Sequence, residues 1–191
     1  MTLALPEARL FVALEPSVDA LQAVLTSTAA LRSGPLGEAP LRWSNPEGWH
    51  VTLAFLGNVE VGLVPALRDL LPRLSPRRKA PRLTFDGLMG FPDDASLRVL
   101  VRGVAGEGVP ELESLASELR AALAELGLAS ETPEPYVPHL TLARARSEAL
   151  DLAVYGASVE VVRWEPIALT LFESRVEAGR RRYVPLASVA W

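Results

Sequence analysis

Hydrophobic and polar positions along the chain follow two different periods. Short apolar runs bounded by Gly, Pro, Asn or Asp predict strands, and longer stretches with apolar residues three and four apart predict helices. The clearest helix spans residues 110–126, where leucines form one stripe and Gly127 follows. Two more helices are predicted at about 17–31 and 64–71. Strands are predicted at residues 10–14, 41–43, 50–56, 83–85, 97–101, 138–143, 159–164, 167–174 and 183–186.

The predicted elements fall into two halves, and each half alternates strands with a helix. Gly57 is expected to end the strand that starts at His50, and Pro72 is expected to end the second helix. The last strand pairs with the preceding one as a hairpin across residues 178–179. No polar, Gly/Ser-rich linker separates the halves, so residues 1–191 are predicted to form one domain of two lobes.

Composition narrows the classes of function. Nineteen basic and 23 acidic residues give a net charge of −4, so a nucleic acid partner would have to be held locally. The chain has no cysteine, which excludes disulfides, thiolate nucleophiles and cysteine-based metal sites. It shows neither a basic, apolar leader nor a stretch long enough to span a membrane, which predicts a cytoplasmic protein without membrane contact.

Both histidines of the chain open the same phrase, His-x-Thr-Leu-Ala. They are His50, in "WHVTLAF", and His139, in "PHLTLAR". From average residue usage, a chance match of Thr, Leu and Ala after both has a probability of roughly one in a thousand. The abundance of Leu and Ala in this chain softens that figure. The pairing is nevertheless the strongest signal in the sequence, whereas a single histidine on a strand is more often structural.

Side chains alternate between the two faces of a strand, so each motif presents an imidazole and a hydroxyl together. His50 and Thr52 share one face, and His139 and Thr141 share another. If the two strands lie side by side, these four groups converge on one cleft that suits a small anion. One imidazole could then act as an acid and the other as a base.

Other chemistries fit the sequence less well. A metal site needs three or more ligands, and no carboxylate stands at a suitable spacing near either motif, so no metal or cofactor is predicted. A serine hydrolase would need a Gly-x-Ser-x-Gly elbow, which is absent from the sequence. A cyclic phosphodiester fits, because threonine hydroxyls can donate to its oxygens while the histidines exchange protons. The residues alone leave open which histidine is the acid.

Four segments resemble the RNA 2′,3′-cyclic phosphodiesterases, also called 2′-5′ RNA ligases, of the two-histidine phosphoesterase superfamily. They are "RLFVAL" at 9–14, "WHVTLAFLG" at 49–57, "PHLTLAR" at 138–144 and "LFES" at 171–174. The resemblance implies an α+β fold of two lobes, with two antiparallel sheets facing a central cleft and helices outside. It also implies metal-independent hydrolysis of a terminal RNA 2′,3′-cyclic phosphate to a 2′-phosphate. By the family pattern His50 is the proton donor and His139 the proton acceptor.

Three further residues are candidates for substrate binding. Arg144 resembles a family position that grips phosphate or RNA, but strict alternation from His139 puts it on the far face, so it reaches the cleft only if the strand twists or ends there. Phe11 and Trp43 could stack on a base, although an aromatic residue on a short strand more often belongs to the core.

Two basic clusters are interpreted as solvated loops, with an RNA-binding rim as the alternative. Their members are Arg73, Arg77, Arg78, Lys79 and Arg82, and Arg175, Arg180, Arg181 and Arg182.

The expected partner is an RNA end or oligonucleotide bearing a 2′,3′-cyclic phosphate, bound by a monomer. Reverse 2′-5′ ligation of RNA is a second activity that the resemblance implies. Two rival functions remain open at this point. One is a phosphodiesterase for small cyclic nucleotides or ADP-ribose cyclic phosphate, and the other is a non-catalytic module that binds RNA ends.

Overall fold

The structure is a computed structural model that describes residues 5–74 and 79–191. The described residues form nine strands and four helices, and none of these helices is both long and apolar enough to cross a membrane. In chain order the elements are β1 (Glu7–Pro16), α1 (Val18–Ser33), α2 (Pro35–Glu38), β2 (Leu41–Trp43), β3 (Val51–Glu60), α3 (Val64–Leu74), β4 (Leu83–Phe91), β5 (Val99–Ala105), α4 (Val109–Glu125), β6 (His139–Ala145), β7 (Val162–Trp164), β8 (Pro166–Glu177) and β9 (Arg180–Ala190).

The strands form one antiparallel sheet in the order β7-β4-β5-β6-β3-β1-β8-β9, with β2 paired to β6. In the described sheet, the strand pairing between its two halves, β7-β4-β5-β6 and β3-β1-β8-β9, is the single pair of Val51 in β3 with Leu140 in β6. The predicted α+β fold is therefore confirmed. The two predicted sheets are two halves of one sheet that meet at this pair.

The core lies between one face of the sheet and the long helices. In β1, Leu10, Val12 and Leu14 face this core and are at most 1% exposed. The leucine stripe predicted on residues 110–126 is buried in α4, which confirms that helix. Burial of such a stripe is the main source of helix stability in a protein of this size.

Several element boundaries differ from the sequence-based predictions. β3 continues past Gly57 to Glu60 because it keeps pairing with β1, and Gly57 takes a positive φ of 66° within the strand. α3 continues past Pro72 to Leu74, and Leu74 is buried in the core, which offsets the hydrogen bond that proline cannot make. At the start of α1, Ser17 is the N-cap, and its hydroxyl accepts from the backbone N–H of Ala20 in the first turn.

A fully buried arginine in β5 forms hydrogen bonds with three neighbouring segments. Arg102 of β5 is 0% exposed, and its Nε donates to the carbonyl of Asp86 at 2.7 Å. Its Nη atoms donate to the carbonyls of Phe85 and Glu160 and to the hydroxyl of Ser27. Burial lowers the pKa of the Arg102 guanidinium. Because these four acceptors lie on three different segments, the Arg102 side chain connects β5 to β4, to α1 and to the segment before β7.

Candidate active site

The pair that joins the two halves of the sheet lies between the two motifs. Val51 and Leu140 are 0% exposed and face the core. Their chain neighbours on either side point to the opposite face. On that face lie His50 and His139, together with the two motif threonines, and all four are half-buried. The structure thus brings the four predicted motif side chains together around one residue pair, on the face that is not covered by the core.

Both imidazoles are oriented by the same hydrogen bond. The Nδ1 atom of His50 lies 2.7 Å from the carbonyl oxygen of Gly48, and Nδ1 of His139 lies 2.7 Å from the carbonyl oxygen of Val137. A carbonyl can only accept, so Nδ1 carries a hydrogen in both rings. The Nε2 atom of each ring is therefore left to exchange a proton with another molecule.

The surroundings disfavour the charged form of both histidines. Burial lowers the pKa of His50 from 6.5 to about 4; the bond to Gly48 opposes this effect and the nearby His139 adds to it. Burial also lowers the pKa of His139, where the bond to Val137 opposes the shift and the Arg144 guanidinium adds to it. The electrostatic interaction between the two imidazoles means that they lie close enough to influence each other's protonation.

The hydroxyl groups of the two motif threonines are available to a ligand. Within residues 5–74 and 79–191, the hydroxyls of Thr52 and Thr141 make no hydrogen bond. The backbone of Thr52 is held instead, because its carbonyl accepts from the Tyr136 hydroxyl at 2.9 Å. Two donors beside two imidazoles, all on one face, suit the recognition of an anion.

A β-bulge in each motif strand explains why Leu and Ala follow both His-x-Thr pairs. In β3, Leu53 is the extra residue between two partners of β1, and in β6, Leu142 is the extra residue between two partners of β5. The leucine and the next alanine are buried in both strands, at most 1% exposed. The bulge resets the alternation, so the residues after the alanines, Phe55 and Arg144, return to the histidine face.

Arg144 therefore lies on the histidine face, and the expectation from strict alternation was wrong because of the bulge. The side chain is exposed, and its charge acts on the pKa of His139. Directly opposite it on β2 stands Arg42, which is also exposed. Within the described chain neither guanidinium is paired with a carboxylate.

Phe11 lies on the histidine face, but it is not free to stack on a base. It is 2% exposed, because its ring packs against other rings: His50 at 4.7 Å, Tyr183 at 5.0 Å, Phe172 at 5.2 Å and Phe55 at 5.9 Å between centroids. Phe11 is thus part of an aromatic wall behind His50. Its burial agrees with the core interpretation made from the sequence, and it leaves no free ring face for a base.

Trp43 is placed away from the histidine face. It pairs with buried Ala143 in the β2-β6 ladder, packs against the hydrophobic core, and has Arg32 of α1 5.8 Å above its ring. The structural interpretation of Trp43 is therefore the one that the geometry supports.

Four aromatic residues of the site were not predicted from the sequence. Tyr183 and Phe172 stand beside His50, and Phe91 meets His139 edge-on at 4.8 Å between centroids. Tyr136 holds the first motif strand from the segment that leads to the second motif. That segment also bonds to β3 at Phe55, through the backbone of Glu131 and the hydroxyl of Thr132. Of these four residues, only Tyr136 had a sequence feature that could have indicated a role at the site, namely its position three residues before His139.

The structure also describes the surroundings relevant to metal binding and most members of the two basic clusters. Within the described part of the chain, no three His, Asp or Glu side chains are grouped closely enough to hold a metal ion. In the first basic cluster, Arg77 and Arg78 lie outside the described residues, and Arg82 is paired with Glu165 at 3.6 Å. The second cluster belongs to the β8-β9 hairpin, which confirms the predicted hairpin across residues 178–179.

Comparison with known proteins identifies the family. The family model described as "2'-5' RNA ligase superfamily" matches residues 13–175, which include both motifs. The chain belongs to this superfamily. The family prediction made from the motifs is thereby confirmed.

Curated relatives and a solved structure agree with this assignment. The RNA 2′,3′-cyclic phosphodiesterase of Escherichia coli is 34% identical over 138 residues, which cover 72% of each chain. The enzyme of the same name from Aquifex aeolicus is 34% identical over 107 residues, and this chain spans 56% of its length. The Thermus thermophilus protein TT0787 superposes with a TM-score of 0.76 at 26% identity, over 95% of this chain and 97% of that one.

Proposed function

We propose that this protein hydrolyses the 2′,3′-cyclic phosphate at the end of an RNA to a 2′-phosphate. The observation that carries the proposal is the set of four groups around the Val51–Leu140 pair. It consists of two imidazoles with Nε2 free and two threonine hydroxyls without a protein partner. The names of the curated relatives support the same reaction.

In the proposed reaction, His139 accepts a proton at Nε2 from the attacking water, whose oxygen forms a bond to phosphorus. The bond between phosphorus and the 3′ oxygen breaks, and Nε2–H of His50 donates a proton to that oxygen. The product carries a 2′-phosphate and a 3′-hydroxyl. The assignment of His50 as donor follows the family resemblance, and a reversed pair would balance equally well.

In the proposed reaction, substrate binding brings the proton donor, His50, into its protonated form. In the empty cleft the pKa of His50 is about 4, so its imidazole is neutral near pH 7. The negative charge of a bound phosphodiester stabilises an imidazolium and raises the pKa of both histidines. The donor therefore gains its proton with the substrate, while the acceptor has to stay neutral.

The hydroxyls of Thr52 and Thr141 are proposed to donate to the non-bridging phosphate oxygens, where charge concentrates in the transition state. Arg144, on the same face, is proposed to attract the phosphate or the nucleotide attached to it. The proposed reaction uses no metal ion or cofactor. A single catalytic domain of two lobes, a monomeric state and a cytoplasmic location stay predictions from the sequence.

The family description favours a second candidate activity, 2′-5′ ligation of RNA. In this reaction, the 5′-hydroxyl of another RNA replaces water as the nucleophile, the bond between phosphorus and the 3′ oxygen breaks, and a 2′-5′ phosphodiester bond forms. The same acceptor histidine would take the proton of that hydroxyl, so the site needs no additional group.

The test is incubation of an RNA that ends in a 2′,3′-cyclic phosphate, in the presence of EDTA, followed by identification of the terminal phosphate. We expect a 2′-phosphate and full activity in the chelator. A 3′-phosphate product, or activity that needs an added divalent metal, would contradict the proposal. Cyclic mononucleotides and ADP-ribose cyclic phosphate serve as rival substrates, and RNA binding without turnover would favour the non-catalytic alternative.

A further inference from the structure

The last two strands extend beyond the rest of the sheet. β1 pairs with β8 no further than Leu10, which stands opposite Glu173, whereas β8 and β9 continue for four more residue pairs. Residues 174–177 and 180–183 therefore form a two-stranded arm, and no third strand of the described residues pairs with it. This arm contains all four arginines of the second basic cluster.

One face of the arm pairs two of its arginines with carboxylates. Arg175 and Arg182 stand directly opposite each other on this face. Arg175 donates to the carboxylate of Glu173 at 2.8 Å, and Arg182 donates to that of Glu177 at 3.3 Å. Arg180 stands opposite Glu177 on the same face, so three guanidinium groups and two carboxylates lie there, and two of the three guanidinium groups are paired.

The opposite face keeps a positive charge beside an apolar group. Here Arg181 pairs with Val176 across the strands, and Val176 is 70% exposed. The Arg181 guanidinium donates to the hydroxyl of Ser174 at 3.2 Å, and it has no carboxylate partner in the described part of the chain. The face thus presents one uncompensated guanidinium next to exposed aliphatic surface.

This second face continues into the active site. Tyr183 lies two residues from Arg181 and so points to the same side of β9. Its ring meets the His50 imidazole edge-on at 5.1 Å between centroids and contacts the ring of Phe11 at 5.0 Å. Two residues of a strand span about 7 Å, so the guanidinium is anchored about one such step from the wall of the cleft.

We propose that this face of the arm, with Arg181, binds the RNA segment that precedes the cyclic phosphate. The inference rests on the proposed function, in which the 3′ oxygen leaves toward His50. The ribose, and the chain attached to it, then lie on the His50 side of the phosphate. Single-stranded RNA is held by guanidinium contacts to phosphates and by exposed apolar or aromatic side chains, which is what this face offers.

The net charge of the protein strengthens the argument. With a net charge of −4, the surface as a whole does not attract a phosphate backbone, so binding depends on places where positive charge is uncompensated. Arg182, on the opposite face of the same arm, is an internal control, because it is also exposed but is paired with the carboxylate of Glu177.

The experiment compares Arg181→Ala with Arg182→Ala, which removes the same charge one residue away on the opposite face. The substrates are adenosine 2′,3′-cyclic phosphate and an RNA of about ten nucleotides with the same cyclic end. We expect Arg181→Ala to lower kcat/KM on the RNA roughly five- to tenfold, and to flatten its logarithmic salt dependence by about 0.7 for the one lost phosphate contact. Turnover of the mononucleotide should be unchanged, and Arg182→Ala should change neither substrate.

Equal losses in both variants would overturn the proposal, since net charge would then be the cause. A loss on the mononucleotide would also overturn it, since Arg181 would then act through His50. Affinity for an RNA that ends in a 2′-phosphate, measured by fluorescence anisotropy, requires no turnover. If the wild type hydrolyses neither substrate, the proposed function fails. Weaker RNA binding by Arg181→Ala than by Arg182→Ala still supports the arm, and equal binding overturns it.

Discussion

The two motif strands, β3 and β6, are built alike and surrounded differently. In both, the imidazole Nδ1 donates to the carbonyl two residues earlier at 2.7 Å, and a bulged leucine follows the threonine. The residue that the bulge returns to the histidine face is Phe55 in one strand and Arg144 in the other. The halves share the groups that we propose to transfer protons and bind phosphate, but the surroundings of the two imidazoles differ.

The neighbourhoods differ in polarity. His50 is backed by the rings of Phe11, Tyr183 and Phe172, whereas His139 meets one ring, Phe91, and feels the charge of Arg144. A symmetric pair of motifs in an asymmetric setting can give two imidazoles different protonation states at one pH. We infer that the shared motif supplies the same side chains to both halves, and that the different surroundings make the protonation states of the two histidines unequal.

The strongest test of the shared equipment is removal of each imidazole. His50→Ala and His139→Ala should each lower turnover by at least ~10²-fold, because each loses one proton transfer in the transition state. Affinity for an RNA ending in a 2′-phosphate, measured by fluorescence anisotropy, should change little. Near-normal turnover in either variant would mean that the two motifs are not equivalent in the chemistry.

The threonines test whether both halves contact the phosphate. Thr52→Val and Thr141→Val keep the shape and remove the donor, and each should cost about 2–3 kcal/mol in the transition state, or roughly 30- to 150-fold in rate. The double variant should be much slower than either single variant. Thr84→Val, on a half-buried strand position of β4, is the matched control and should leave turnover unchanged. If either motif variant unfolds the protein, its hydroxyl is structural.

The Tyr136 hydroxyl donates a hydrogen bond to the first motif strand, so its removal should affect the His50 side of the site more than the His139 side. Tyr136→Phe deletes the hydrogen bond to the Thr52 carbonyl, and a bond of this kind contributes about 1 kcal/mol. We expect kcat to fall about three- to tenfold, with Tyr155→Phe as an unaffected control. In a Thr52→Val background the loss should disappear, whereas in a Thr141→Val background it should persist. Equal losses in both backgrounds would contradict a positioning role.

The pH dependence of the rate tests the environment of the two histidines without a substitution. The proposed reaction needs one imidazole protonated and the other neutral, so the rate should peak between the two pKa values. Both pKa values are lowered in the empty cleft, and kcat/KM reports the free enzyme, so its maximum should lie below pH 6.5. The phosphate raises both pKa values, so the kcat profile should lie at higher pH. A kcat/KM maximum above 6.5 would contradict the electrostatics of the cleft.

Much of the fold followed from local patterns. The apolar runs predicted the position of every described strand, and the leucine stripe predicted α4. The shared phrase around His50 and His139 predicted that the four side chains of the candidate site would lie together. Element ends were less predictable, as at Gly57 and Pro72, because pairing with β1 and burial of a later leucine extended the elements. These extensions depend on contacts between segments that local sequence does not contain.

The surroundings of the site were beyond prediction for the same reason. The face on which Arg144 lies depends on a bulge, and a bulge depends on the register between two strands. Phe11 forms a wall for His50 only because β1, β8 and β9 assemble beside β3. Sequence predicted the groups that are repeated in both halves, and it missed the groups that make the halves differ.

The central claim is that the two histidines form one acid–base unit, and a double-mutant cycle tests it most directly. Turnover of an RNA 2′,3′-cyclic phosphate would be measured for the wild type, His50→Ala, His139→Ala and the double variant. Because one proton transfer without the other has little value, the double variant should be no more than a few-fold slower than the slower single variant. Losses that multiply, so that the double variant falls by the product of the two single effects, would show independent sites and contradict the account.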